Sequence, residues 1–200
     1  MTKKKDSYHH GHLRATLLTV ATEMIAEEGV EALTMRGLSR RIGVSRTAPY
    51  RHFDDKSALL AAIAEEGFNQ LTQGIQPEDT DSGGNILSIF EKMWVGYVHF
   101  AIKNPTLYSL MFGKQIFNWQ HYPGLLKAGA ESFNQVVELV RIGQQTGKIK
   151  SGDPRKLAYV AWSMAHGLAI HTIDGRGERV GDREEVIQLA VQTLIKGLSK

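Results

Sequence analysis

The 200-residue chain has no cysteine. That excludes disulfides, thiolate metal sites and cysteine nucleophiles. The first dozen residues, MTKKKDSYHHGH, contain no apolar segment, so a secretory signal is not expected. No long hydrophobic run occurs either. The longest nearly apolar stretch, YVAWSMAHGLAI (159–170), is too short to span a bilayer and carries a histidine. A protein of the cytoplasm is the expectation. Strand signals are nearly absent, as are a G-x-S-x-G nucleophile motif, a glycine-rich phosphate loop and internal repeats.

Charge is present but unevenly placed. Residues 1–53 hold nine Lys and Arg against five Asp and Glu, whereas residues 54–200 hold fifteen against sixteen. All the excess positive charge therefore lies in the first quarter, which suggests a polyanionic partner there, nucleic acid being the usual one. A solvated basic face is the plain alternative. From Thr34 to Phe53 the contrast is sharpest: arginines 36, 40, 41, 46 and 51, one histidine, and no acid.

The apolar spacing is helical almost throughout. Leu13, Leu17, Val20 and Met24, with Ala21 and Ile25 beside them, predict an amphipathic first helix closed by Gly29. Thr34 can cap a second helix with Met35, Leu38 and Ile42 inward and Gly43 at its end. Ser45 can cap a third, very short one. Pro49 would then be its fourth residue, at the limit of the first turn, where a lost donor costs least. Asp54, Asp55 and Lys56 lead into a fourth helix bearing Leu59, Leu60, Ile63 and Leu71. The polar stretch TQGIQPEDTDSGGN (72–85) is the candidate boundary between two units. Beyond it, Ile86 to Phe100 predict a long helix stopping before Asn104-Pro105, then a short helix TLYSLMF, the connector KQIFNWQHYPG and a helix from Pro123 to Gly147.

The last two helices have clear starts: Asp153 before Pro154, and Asp182 with Glu185 three residues on. Both look apolar on more than one side. The penultimate one shows Leu157, Val160, Met164 and Leu168 as well as Tyr159, Trp162 and Ile170. The final one shows Val186, Leu189, Ala190 and Leu194 as well as Ile187, Val191 and Ile195. Helices buried on two sides in a chain this small point to a second copy of the same chain.

Short helices joined by a Gly-Val-Ser turn describe a helix-turn-helix. Such a unit lays one helix across the DNA backbone and offers the next to the major groove. The arginines supply a salt-sensitive attraction to phosphate. Arg46 is the strongest base-reading candidate, because arginine pairs bidentately with guanine O6 and N7.

At positions 11–68 the sequence resembles the TetR family of bacterial transcriptional regulators. The resemblance is carried by LTMRGL, by GVSRTAPYRHF and by the following Asp-Asp-Lys-Ser-Ala-Leu-Leu. It is similar to the branch with an AAPYRHF-like recognition helix and a W-x-x-x-HG element, here TAPYRHF and Trp162 to Gly167. Ser39 stands where the family often has alanine. The resemblance implies phosphate contacts from Thr34, Arg36, Tyr50, His52 and Lys56, and base-edge contacts from Arg46, Thr47 and Ala48. Ser45 and Arg51 complete the DNA-facing set, while Phe53 is expected in the core.

It also implies a small-molecule site in the second unit. Apolar pockets with few polar groups suit that role, and the candidates are Trp94, Tyr97, Phe112, Phe117, Trp162 and His166. The expected architecture is all-α: a helix-turn-helix domain over 8–70 and a helical ligand-binding and dimerising domain over 84–199. The expected function is a ligand-responsive repressor of transcription. It would act as a homodimer, joined through the last two helices, on a pseudo-palindromic double-stranded operator, with an unknown small apolar effector and no membrane association. No cofactor is implied. His9, His10 and His12 cluster without a carboxylate or cysteine to complete a metal site, and with Lys3–Lys5 they fit a polar arm near DNA. His166, His171 and Asp174 resemble a base with its orienting acid but lack a nucleophile. A helical enzyme and a module binding an acidic protein are the competing functions.

Overall fold

The structure, a computed structural model, describes residues 9–74, 85–113, 119–176 and 179–200, with side chains from His12 onward. Among them are eight α-helices and no strand: α1 His9–Glu28, α2 Met35–Ile42, α3 Lys56–Gly74, α4 Ile86–Lys103, α5 Pro105–Phe112, α6 Pro123–Gln145, α7 Pro154–Ile173 and α8 Arg183–Leu198. Most of segment 72–85, the Lys3–Lys5 run and Phe117 lie outside the described residues, as do the side chains of His9 and His10.

The helices begin and end where local chemistry dictates. Gly29 and Gly43 take left-handed φ of 85° and 79° after α1 and α2, a conformation that costs glycine least. Thr34 Oγ1 accepts from Gly37 N, Asp153 from Arg155 and Lys156 N, and Asp182 from Glu184 and Glu185 N. Each cap satisfies donors that a helix start leaves open.

The chain forms two compact units that interleave in sequence: residues to Gly67 with Thr106–Leu126, and Phe68–Pro105 with Lys127–Lys200. In the first, Leu17 and Ala21 of α1, Leu38 of α2 and Leu59 of α3 are buried completely. Gly67 of α3 is a point of close approach. A Cβ there would lie 2.6 Å from Met111 Sδ and 2.9 Å from Leu107 Cδ1, both on buried α5 side chains. In the second unit, α4 packs on α7 and α8.

α7 and α8 each carry one buried and one exposed apolar side. The buried stripe of α7 is Ala158, Ala161, Ala165 and Ala169, while Tyr159, Val160 and Met164 are exposed. α8 buries Ile187, Val191, Leu194 and Leu198 and leaves Leu189 66% exposed. Lys150 Nζ donates to Gly197 O, and Ile149 bridges to Ser199, tying the end of α8 to the turn before α7.

Candidate nucleic-acid interface

The third helix of the sequence reading is not an α-helix. Residues 46–48 form a turn, and a single 3-10 turn, Pro49–Arg51, follows. Ala48 N donates to Ser45 O, and His52 N and Phe53 N both donate to Pro49 O. Ser45 Oγ lies 3.3 Å from Thr47 Oγ1 rather than on a backbone donor. Pro49 thus occupies the first position of the 3-10 turn, not the fourth of an α-helix. It has no N–H to leave unpaired there.

Burial alternates sharply along this segment. Ala48, Pro49 and Phe53 are buried, whereas Ser45, Arg46, Thr47, Tyr50 and Arg51 are exposed, Tyr50 by 49%. Thr34 and Arg36 at the start of α2 are exposed as well. Thr34 Oγ1 uses an acceptor site in its cap, so its own O–H remains able to donate. Ser39 is buried, with its hydroxyl donating to Met35 O at 2.8 Å. The buried serine thus has its hydroxyl satisfied within the helix.

Three residues expected to contact DNA are buried in whole or in part. Ala48 is only 8% exposed and contributes to the core. The Lys56 ammonium donates to Val30 O at 2.6 Å, closing the chain just past α1. His52 is half-buried, and its Nε2 is covered without a hydrogen-bond partner. Arg41 is paired: Nη1 and Nη2 donate to the two Glu27 carboxylate oxygens at 2.7 and 2.8 Å, with Glu28 3.9 Å away. Those hydrogen bonds hold the Glu27 carboxyl below its usual range. Sequence reading missed Glu27 because its partner is fourteen residues away across a helix turn.

The predicted effector residues are only partly gathered. In the second unit, Trp162 Nε1 donates to Tyr97 OH at 3.0 Å, Tyr97 OH is 3.4 Å from His166 Nδ1, and the Trp162 and His166 rings stack at 5.1 Å. Burial lowers the His166 imidazole below its ordinary value. Trp94 meets Tyr97 edge-on, and its buried Nε1 has no partner. Phe133, with Arg155 over its ring, joins from α6 against Trp162. Phe112 belongs to the first unit, against Tyr108. A cavity of about 270 Å³ opens elsewhere, between the end of α7 and the start of α8, lined by Leu168, His171, Thr172, Gly181, Asp182, Arg183 and Val186. It contains none of the expected effector residues.

Two helices and a short basic turn held by buried side chains define a helix-turn-helix protein. The chain matches the family described as bacterial regulatory proteins, TetR family, over residues 17–63, and the tetracyclin repressor-like C-terminal domain over 90–194. It belongs to the TetR family and is a DNA-binding transcriptional regulator; repression and dimer formation are typical of that family. A solved structure from Rhodococcus sp. RHA1, described as a protein with unknown function, is 32% identical with a TM-score of 0.83, covering 98% of this chain and 100% of that one. The uncharacterized HTH-type transcriptional regulator YobS of Bacillus subtilis is 28% identical over 197 residues, 94% of this chain and 93% of YobS. The nucleoid occlusion factor SlmA of Marinobacter nauticus is 26% identical over 155 residues, 76% of this chain and 74% of SlmA. No helix among the described residues is long and apolar enough to cross a membrane.

Proposed function

We propose that the chain is a cytoplasmic, ligand-responsive repressor that binds a pseudo-palindromic operator as a homodimer. Residues 8–70 would carry the DNA contacts, and 84–199 the effector and dimer contacts. The observation that carries the reading is the exposed row Ser45, Arg46, Thr47, Tyr50 and Arg51 on a turn anchored by buried neighbours. Arg46 and Thr47 read base edges, while Thr34, Arg36, Tyr50 and Arg51 hold phosphates. His52 and Lys56, half-buried beside the turn, add phosphate contacts, and Ala48 packs beneath it.

Exposed Tyr159, Val160, Met164 and Leu189 support a second copy docked on α7 and α8. The Tyr97, Trp162 and His166 cluster supports an apolar effector with few polar groups. An effector that binds one arrangement of the dimer better than the other would draw the two reading turns away from successive major grooves.

A mobility-shift titration with duplex from the chain's own upstream region tests the reading. Affinity should fall steeply with salt, and Arg46→Ala should lose about 1–3 kcal/mol of preference for that duplex over an arbitrary one. Absence of salt-dependent binding to any duplex would overturn it.

A further inference from the structure

The inward stripe of α1 runs through Leu17, Ala21, Met24 and Ile25, all buried. One turn before Leu17, and two turns before Ala21, the same stripe carries Arg14. A positive charge thus occupies a register position whose successors are core. Arg14 is nevertheless exposed. Its guanidinium carbon lies over the Phe53 ring, 5.4 Å from the centroid. Phe53 is the buried residue that ends the basic turn, and its ring also neighbours His52 at 6.5 Å. α1 therefore reaches the reading segment directly through this pair.

The geometry leaves Arg14 chemically available. A guanidinium laid on an aromatic face uses its π surface, while its five N–H donors remain in its own plane. Among the described residues Arg14 enters no ion pair, in contrast to Arg41, whose donors are taken by Glu27. An exposed arginine with no ion pair among the described residues, at the edge of a basic turn, has the chemistry to bind a phosphate oxygen.

We infer that Arg14 is a further phosphate contact of the DNA-binding face, held in place by Phe53. This rests on the DNA-binding reading above. It adds to the phosphate grip a residue that lies outside the helix-turn-helix itself, on the helix before it. Because phosphates carry no sequence information, Arg14 strengthens binding to every duplex alike.

The test uses the full chain, a fluorescent duplex of arbitrary sequence and the upstream duplex, titrated between about 50 and 200 mM salt. Arg14→Gln and Arg14→Met keep much of the stem on Phe53 while removing the charge. Each should lower the log–log salt slope by about 0.9, the loss of one phosphate contact, equally on both duplexes. Arg41→Ala, measured alongside, should leave the slope where it was. An unchanged slope in the folded Arg14 variants overturns the inference and leaves Arg14 as packing for Phe53. Loss of folding in both variants, read by thermal unfolding, also counts against it, because it makes the residue structural. Failure of the unmodified chain to bind either duplex is a different result, since it removes the DNA-binding reading as a whole.

Discussion

Arg41 and Glu27 meet as two parallel hydrogen bonds of 2.7 and 2.8 Å, joining α2 to α1. This bidentate geometry is the one guanidinium and carboxylate favour most. Both side chains are exposed, so the pair contributes little to stability. Its larger effect is to remove one arginine from the basic set. Arg41→Ala should therefore leave the salt dependence of DNA binding unchanged, whereas Arg36→Ala should flatten the slope by about 0.9. Fluorescence anisotropy over a salt series distinguishes them.

Gly67 marks a second close relationship, with α5 pressed onto α3. A methyl group at this position meets Met111 and Leu107, which are buried and have little room to yield. Gly67→Ala should destabilise the chain by about 1–3 kcal/mol, the usual cost of overpacking. Urea denaturation measures it, and an unchanged midpoint would show that α5 shifts freely.

His166 gives a pH dependence with a defined sign. Burial lowers its folded value below the ordinary 6.5. The unfolded chain takes up the proton first as pH falls. Stability is then full above about pH 6.5 and declines below it, until the folded imidazole is also protonated. Denaturation midpoints of His166→Asn should fall less steeply over that interval than those of the unmodified chain. Parallel curves would exclude His166 as the source.

Leu189 is 66% exposed on α8, and Met164 is 45% exposed on α7. A charge at either position costs a lone protomer little but is severe inside an apolar interface. Leu189→Glu and Met164→Glu should each yield monomers by light scattering while leaving the helical circular dichroism intact. Dimers that persist in both variants would place the interface on another surface.

Much of the fold was legible because its signals are local. Thr34, Asp153 and Asp182 cap helices as their side chains require, and Gly29 and Gly43 end them through a left-handed φ. The reading turn was legible as an exposed basic segment but not in its form. Pro49 removes a donor, and only three residues remain before Phe53 must turn inward, so a 3-10 turn replaces the short α-helix.

The two apolar sides of α7 were legible in the sequence, but which side faces inward was not, because periodicity alone does not rank them. Ala158, Ala161, Ala165 and Ala169 lie inside, while Val160 and Met164 lie outside. The pairings of Arg41 with Glu27, Lys56 with Val30 and Arg14 with Phe53 join residues distant in sequence. No periodic pattern encodes such pairs.

The alternation along the basic turn has a consequence for how this protein can change. Ala48, Pro49 and Phe53 are buried beneath the segment, and the side chains at 45, 46, 47, 50 and 51 are exposed. Substitutions at such surface positions usually move stability by less than about 0.5 kcal/mol. Operator preference can therefore drift, or be randomised in a library, on a scaffold that stays folded. The turn behaves as an exchangeable key on a constant handle.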